Sequence, residues 1–365
     1  MKIIFRFCFI TTLSVLMVAG FRLSAQNQSQ TTVKPKNIVF MIGDGMGLAE
    51  VQAAQHRATQ PLNMFTSKHI GLITTHSFDD EITDSGAGGT ALSSGQKTRN
   101  RMIGMNSDTI AIPSLLDVFA AEGKSTGIAV SCAVTHATPA SFVAKVNSRY
   151  LYEDIALQYL QSPVDVVIGG GLKDFNKRKD GRTLTDEMQE KGFHYTNVIP
   201  DTPIQSASKL LILTDSGHPE SVLKGRGDHL VKATKLAIET LKENPNGFFL
   251  MVEGSQIDFG GHDNNIDYIV SEVFDFDAAV GVALEFVSQH PETLLIITAD
   301  HETGGLGFPG GAIKGTYREA FSTTDHSGVM VPVYAFGAGA EAFGGVYDNT
   351  EIFSKILMLT GLTVK

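Results

Sequence analysis

The chain has 365 residues, 42% of them hydrophobic and 37 of them glycine, which suits one large α/β domain or two smaller ones and excludes a disordered chain. Its 29 basic residues face 39 acidic ones, a net charge of −10, and form no basic stripe, so no nucleic-acid-binding module and no charge-driven docking to an acidic membrane is expected. An anionic substrate would need local positive charge, which bound metal ions can provide.

Residues 1–25 read as an export signal. Lys2 and Arg6 open it, apolar stretches Ile10–Leu13 and Val15–Val18 follow, and Ser24 and Ala25 offer small residues near a cut. The apolar stretch is short for a permanent span, so no stable membrane span is expected after cleavage, and the mature protein is expected in the periplasm or outside the cell. An uncleaved anchor is the alternative. Cleavage removes Cys8 and leaves Cys132 alone, without a partner for an internal disulfide. Residues 26–36 are polar and predict a flexible lead-in to a domain spanning 37–365.

From Asn37 onward, strand-like and helical runs alternate. Asn37–Gly43, Ser125–Val130, Val164–Ile168, Gly247–Val252, Thr293–Ala299 and Val331–Phe336 predict strands; Ser114–Phe119, Asp228–Leu241 and Val270–Val287 predict helices. The order implies a single α/β domain with a mainly parallel central sheet covered by helices on both faces. In such sheets ligands bind at the carboxyl ends of the strands, where three of these runs end at Asp44, Glu253 and Asp300. Gathered in a partly dry cleft, carboxylates would resist ionisation, which argues for metal cations.

Asp258 and His262 stand four apart, so on a helical turn they face one way and can grip one cation, although Gly260 and Gly261 weaken the helix. Alone, such a pair is more simply a polar surface turn, and Asp300 with His301 a loop start. Two Asp/His pairs, each following a buried strand, make a two-zinc centre the better reading. His326 can complete one three-ligand set; a lone loop histidine usually does nothing. Asp84-Ser-Gly-Ala-Gly-Gly-Thr90 opens a helix with small residues that let an anion approach, with Ser85 either a helix cap or a nucleophile. Arg149 is either a solvated helix end or a two-pronged clamp for phosphoryl oxygens.

Gly43-Asp-Gly-Met-Gly47, Asp84 to Thr90, Val252-Glu-Gly254 with Asp258 and His262, and Thr298-Ala-Asp-His-Glu-Thr-Gly304 together resemble the alkaline phosphatase family, from Asn37 to about Thr360. The resemblance implies a hydrolase of small phosphate monoesters with two zinc ions and one magnesium ion. It implies Asp258, His262 and His326 at the first zinc, Asp44, Asp300 and His301 at the second, and Asp44, Glu253 and Thr138 at magnesium. Ser85 is implied as the nucleophile, Arg149 as the phosphate-binding arginine, and the reaction as two in-line displacements through a phosphoserine. Two positions depart from the well-known enterobacterial pattern: His136 replaces an aspartate, which implies altered occupancy of the third site, and Phe259 replaces a lysine, which implies weaker inhibition by product phosphate. The short link Ala312–Ser322 leaves little room for an inserted subdomain, so a monomer or a homodimer is expected.

A phosphodiesterase or a phosphoglycerate mutase would share the metals, but mutases generally need a large second domain that this chain lacks the length for. A sulfatase is disfavoured because no Cys or Ser stands in a C/S-x-P-x-R setting. Outside enzymes, the alternative is a metal-dependent phosphate-binding protein without turnover.

Overall fold

The apolar runs of the sequence form strands, and the strands pair into one sheet. The computed structural model describes residues 33–204, 208–310 and 318–364. The export segment 1–25, most of the lead-in and most of the link Ala312–Ser322 lie outside the described residues. Of the lead-in, Pro35 is buried and the Lys36 amide donates to the Glu292 carbonyl, so its last residues are tied down.

In chain order the strands are β1 (Asn37–Gly43), β2 (His69–Thr74), β3 (Ser125–Ala133), β4 (Val166–Gly170), β5 (His194–Thr196), β6 (Leu210–Leu213), β7 (Phe248–Gly254), β8 (Thr293–Thr298), β9 (Glu302–Thr303), β10 (Leu306–Gly307), β11 (Ala320–Phe321), β12 (His326–Ser327), β13 (Val331–Gly337) and β14 (Gly345–Asp348). Ten of them form a sheet in the order β14-β2-β13-β8-β1-β7-β3-β4-β6-β5. Only β13 runs against its neighbours; the remaining pairings are parallel. The short strands pair separately, β10 with β11 and β9 with β12.

Every residue of β1, β7 and β8 is buried, as expected of central strands covered on both faces. One helical layer gathers Leu48–Arg57, His229–Leu241, Gln256–His262 and Ile266–Gln289; the other gathers Ser85–Ser94, Leu115–Ala121, Ala137–Val143 and Thr350–Thr360. The helix His229–Leu241 buries Leu230, Ala233, Leu236, Ala237, Ile238 and Leu241, the stripe its spacing predicts. Phe142, on the helix Ala137–Val143, lies edge-on to Phe40 with centroids 6.1 Å apart and stacks on Phe249 at 5.9 Å. Each buried phenyl contributes about 1.5–3 kcal/mol, so this trio holds the helix carrying Thr138 firmly against β1 and β7.

Two local expectations need correction. Ser85 is not the helix cap: Asp84 is, its carboxylate accepting from the Ala87 amide, and Ser85 is the first helical residue. Gly260 and Gly261 do not break the helix Gln256–His262; they let it pack close. A Cβ on Gly261 would lie 2.6 Å from the Thr303 carbonyl oxygen, a contact that only glycine avoids.

Candidate metal centre and nucleophile

Asp44, Glu253 and Asp300 lie at the same end of three adjacent strands. Ile42 of β1 is level with Glu253 of β7 on one side and with Thr298 of β8 on the other, so Asp44 and Asp300 each project just past their strand end. Behind Asp44 the chain turns at Gly45, whose φ of +72° lies in the left-handed region and whose missing Cβ leaves room for the Asp258 backbone. The Gly45 amide donates to Asp300 Oδ1 at 3.3 Å, joining the β1 and β8 ends.

The three predicted histidines share one hydrogen-bonding arrangement. His262 Nδ1 lies 2.7 Å from the Thr324 carbonyl and His326 Nδ1 lies 2.8 Å from the Thr83 carbonyl, so in each ring Nδ1 carries the proton. His301 Nδ1 lies 3.2 Å from Thr303 Oγ1, whose own proton goes to Asp258 Oδ1 at 2.5 Å, so this Nδ1 also donates. All three Nε2 atoms therefore turn toward carboxylates: His262 and His326 toward Asp258 Oδ1 at 3.4 and 3.6 Å, His301 toward Asp300 Oδ2 at 3.3 Å and Asp44 Oδ1 at 3.5 Å. An outer hydrogen bond that orients the far nitrogen is the usual setting of a ligating histidine.

Ser85 Oγ lies 3.2 Å from His301 Nε2. Arg149 is not a solvated helix end. It lies in a turn, is largely buried, and its guanidinium donates to Asp84 Oδ2 at 2.9 Å and to His136 Nε2 at 3.2 Å. Thr138 Oγ1 donates to Asp44 Oδ2 at 3.4 Å, placing that hydroxyl beside the β1 end. Phe259 stands edge-on to His136 and His218, with centroids 5.9 and 5.3 Å apart. Ser85, Arg149, His136, Phe259, Asp258, His262 and His326 all line one cavity of about 1040 Å³.

The electrostatics of these side chains call for cations. Burial, then the charges of Asp300, Asp258 and Glu253, push Asp44 well above the carboxylate range. Burial, then Asp300, raises Glu253 to about 8, and burial, then Asp258, raises Asp300 to about 6. Burial alone would raise Asp258 too, but the hydrogen bond from His262 and the nearby imidazoles take it well below the usual range, and the same bond raises His262 to about 9. Burial, then His326, keeps His301 neutral; burial, then Arg149 and His218, does the same for His136.

Asp44 Oδ1, Asp300 Oδ2, Glu253 Oε1 and His136 Nδ1 are buried without a hydrogen-bond partner. Buried polar atoms without partners are costly, and Asp44 Oδ1 and Asp300 Oδ2 both lie within 3.5 Å of His301 Nε2, which fits divalent ions as the missing partners. Among the described residues three sets could hold one: Asp258, His262 and His326; Asp44, Asp258 and His301; and Cys132, His136 and Glu253, each with its ligand atoms within 4.8 Å of one another.

Sequence reasoning missed four contributors: Asp84 as partner of Arg149, Thr303 as the bridge between Asp258 and His301, His218 against His136, and Cys132 beside Glu253. Asp84 carried a signal, an acidic cap immediately before Ser85. His218 carried none, since its loop meets the site only through tertiary packing.

Over residues 35–320 the chain matches the family described as alkaline phosphatase. Alkaline phosphatase 4 of Bacillus subtilis (strain 168) is 32% identical, across 92% of this chain and 91% of that protein. Streptomycin-6-phosphate phosphatase of Streptomyces griseus is 29% identical, across 95% of each. Among solved structures, alkaline phosphatase from the Antarctic bacterium TAB5 superposes with a TM-score of 0.87 at 39% identity, over 90% of this chain and 99% of that one. A histidine-to-aspartate variant of it, with magnesium bound in its M3 site, gives 0.88 at 38% identity, over 91% and 100%.

Proposed function

The chain belongs to the alkaline phosphatase family, and from that premise we propose that it is an exported phosphomonoesterase of broad leaving-group range, acting through a phosphoserine at Ser85. The carrying observation is the position of Ser85 Oγ beside His301 Nε2, among buried carboxylates whose outward oxygens lack partners. Asp258, His262 and His326 would hold a first zinc, and Asp44, Asp300 and His301 a second. Asp44, Glu253 and Thr138 would hold a third cation, magnesium in the family pattern. A solved relative with magnesium in its M3 site supports a third cation. Bound there, the ions would supply Lewis-acid stabilisation to the phosphoryl oxygens and the departing alkoxide.

The chain's own residues account for the rest. Ser85 opens a ten-residue helix, so its hydroxyl sits where the helix dipole favours a phosphate group. Arg149, steadied by Asp84, offers a planar fork to two non-bridging oxygens. In the first displacement the Ser85 oxygen bonds to phosphorus as the ester oxygen leaves; in the second, water takes the place of serine and phosphate departs. Thr303 keeps the His301 ring oriented throughout. The outer wall, with Asp79, Asp80, Asn100, Arg101, Tyr150 and Tyr152, bounds a wide opening that accommodates many alcohols. Residues 37–365 are taken as one catalytic domain behind an export signal at 1–25 and a lead-in at 26–36. Among the described residues no helix is long and apolar enough to cross a membrane.

Hydrolysis of p-nitrophenyl phosphate, abolished by chelation and restored by zinc, with phosphate trapped on Ser85 by mass spectrometry, tests the reading. Ser85→Ala should lower kcat on the order of 10³-fold or more and abolish the trapped species. Tight phosphate binding without product, or diester rates equal to monoester rates, would overturn it.

A further inference from the structure

Cys132 is the single cysteine between residues 26 and 365, and it lies at the edge of the third set of acids. The register of β3 with β7 sets Val130 level with Glu253, which carries Cys132, two residues on, past the Glu253 end of its neighbour. The Cys132 side chain is fully buried, and its Sγ lies 3.5 Å from Glu253 Oε2. A tetrahedral zinc ion with bonds of about 2.0–2.3 Å holds its ligand atoms roughly 3.3–3.8 Å apart. The observed separation, at which the thiol donates its proton to that carboxylate, falls within that range.

Glu253 and a third side chain, His136, each carry a buried polar atom with no partner among the described residues. Glu253 is fully buried, and its Oε1 has no partner. His136 Nε2 accepts from Arg149, which can only donate, so Nδ1 carries the ring proton and finds no acceptor among the described residues. One atom each from Cys132, His136 and Glu253 falls within 4.8 Å of the other two. His136 also lines the large cavity, which gives an ion a way in.

Magnesium is a hard ion that prefers six oxygen ligands and retains several waters. A sulfur, an imidazole nitrogen and a carboxylate are instead the donors of a softer, four-coordinate ion. We propose that Cys132, His136 and Glu253 form a sulfur–nitrogen–oxygen site that holds a thiophilic divalent cation, zinc by preference, drawing Glu253 away from the Asp44, Glu253 and Thr138 set that the family pattern gives to magnesium. This rests on the functional reading above and concerns what its third site selects. As the metal–sulfur bond forms, the Cys132 S–H bond breaks and the proton passes to water. Binding at His136 Nδ1 shifts the ring proton to Nε2, which ends the contact with Arg149 and frees one guanidinium N–H for the phosphoryl group.

The test uses protein carrying Cys8→Ser, stripped by chelation and reloaded with zinc in excess magnesium, with metals counted by elemental analysis after desalting. The expected result is three zinc ions per chain. Adding Cys132→Ser should leave two zinc ions tightly held and weaken the third about 10–100-fold, with magnesium taking its place. Cadmium loading should give a thiolate charge-transfer band that Cys132→Ser and Cys132→Ala both lack. Two zinc ions plus magnesium in the Cys8→Ser protein without a cadmium–thiolate band would overturn the inference and leave the phosphatase reading standing. So would an unchanged third zinc in Cys132→Ser. No zinc at all would overturn both.

Discussion

Loading zinc into the chelated protein should expel protons in a number set by the perturbed ligands. In the bare site Glu253 titrates near 8, lifted by burial and Asp300, and His262 near 9, lifted by its hydrogen bond with Asp258. At pH 7 each is therefore about nine-tenths protonated or more, while zinc binds only the proton-free forms. Filling the sites at pH 7 releases about two protons from this pair. At about pH 9.5 the pair releases only a few tenths of a proton. Because His262 and Glu253 serve different ions, the affinity of the His262 site should climb about tenfold per pH unit from 6 toward 8 and flatten above 9. Calorimetric titration of zinc in two buffers of different ionisation heat counts the protons directly. Fewer than one proton at pH 7, or an affinity that does not move between pH 6 and 8, would refute the assignment of these residues as ligands.

The same groups give the apoprotein a pH dependence. Glu253 stays protonated in the folded chain up to about 8 but ionises near 4.5 when unfolded, so its contribution is complete below 4.5 and lost as pH climbs through 8; that of His262 is complete below 6.5 and lost through 9. Chelated protein should therefore unfold at lower denaturant at pH 9 than at pH 6, with zinc reversing the loss. Phe259→Lys should lower the inhibition constant for product phosphate about tenfold, because an ammonium replaces a phenyl edge on the cavity wall; equal constants would discard the idea. Gly45→Ala forces a side chain into a left-handed turn and against the Asp258 backbone at 2.7 Å, and should cost about 2–5 kcal/mol in denaturant unfolding and weaken zinc retention.

The parts of the fold most legible in the sequence were those whose surroundings are uniform. β1, β7 and β8 are buried on both faces, so each is an unbroken apolar run with an acid at its end. β2 alternates between buried and accessible positions beside the edge strand β14, and β5 has only three residues, so neither stands out from a loop. In the site, Asp/His spacing and strand-end position pointed to the residues that the fold brings together. The Arg149–Asp84 pair and the Thr303 bridge were hidden because each joins segments that only tertiary packing sets side by side. Cys132 was read for what it could not do, form a disulfide. Its place beside Glu253 is a consequence of strand register.

Because Asp300, Asp44 and Glu253 cap three neighbouring strands, the spacing between their carboxylates is inherited from the hydrogen-bond ladder of the sheet, about 4.8 Å from strand to strand. That ladder is the stiffest ruler the molecule has. The loops around Asp79, Arg101 and Tyr150 sit outside it, so selection or engineering can redraw the doorway for new alcohols while the gauge that spaces the ions keeps its calibration.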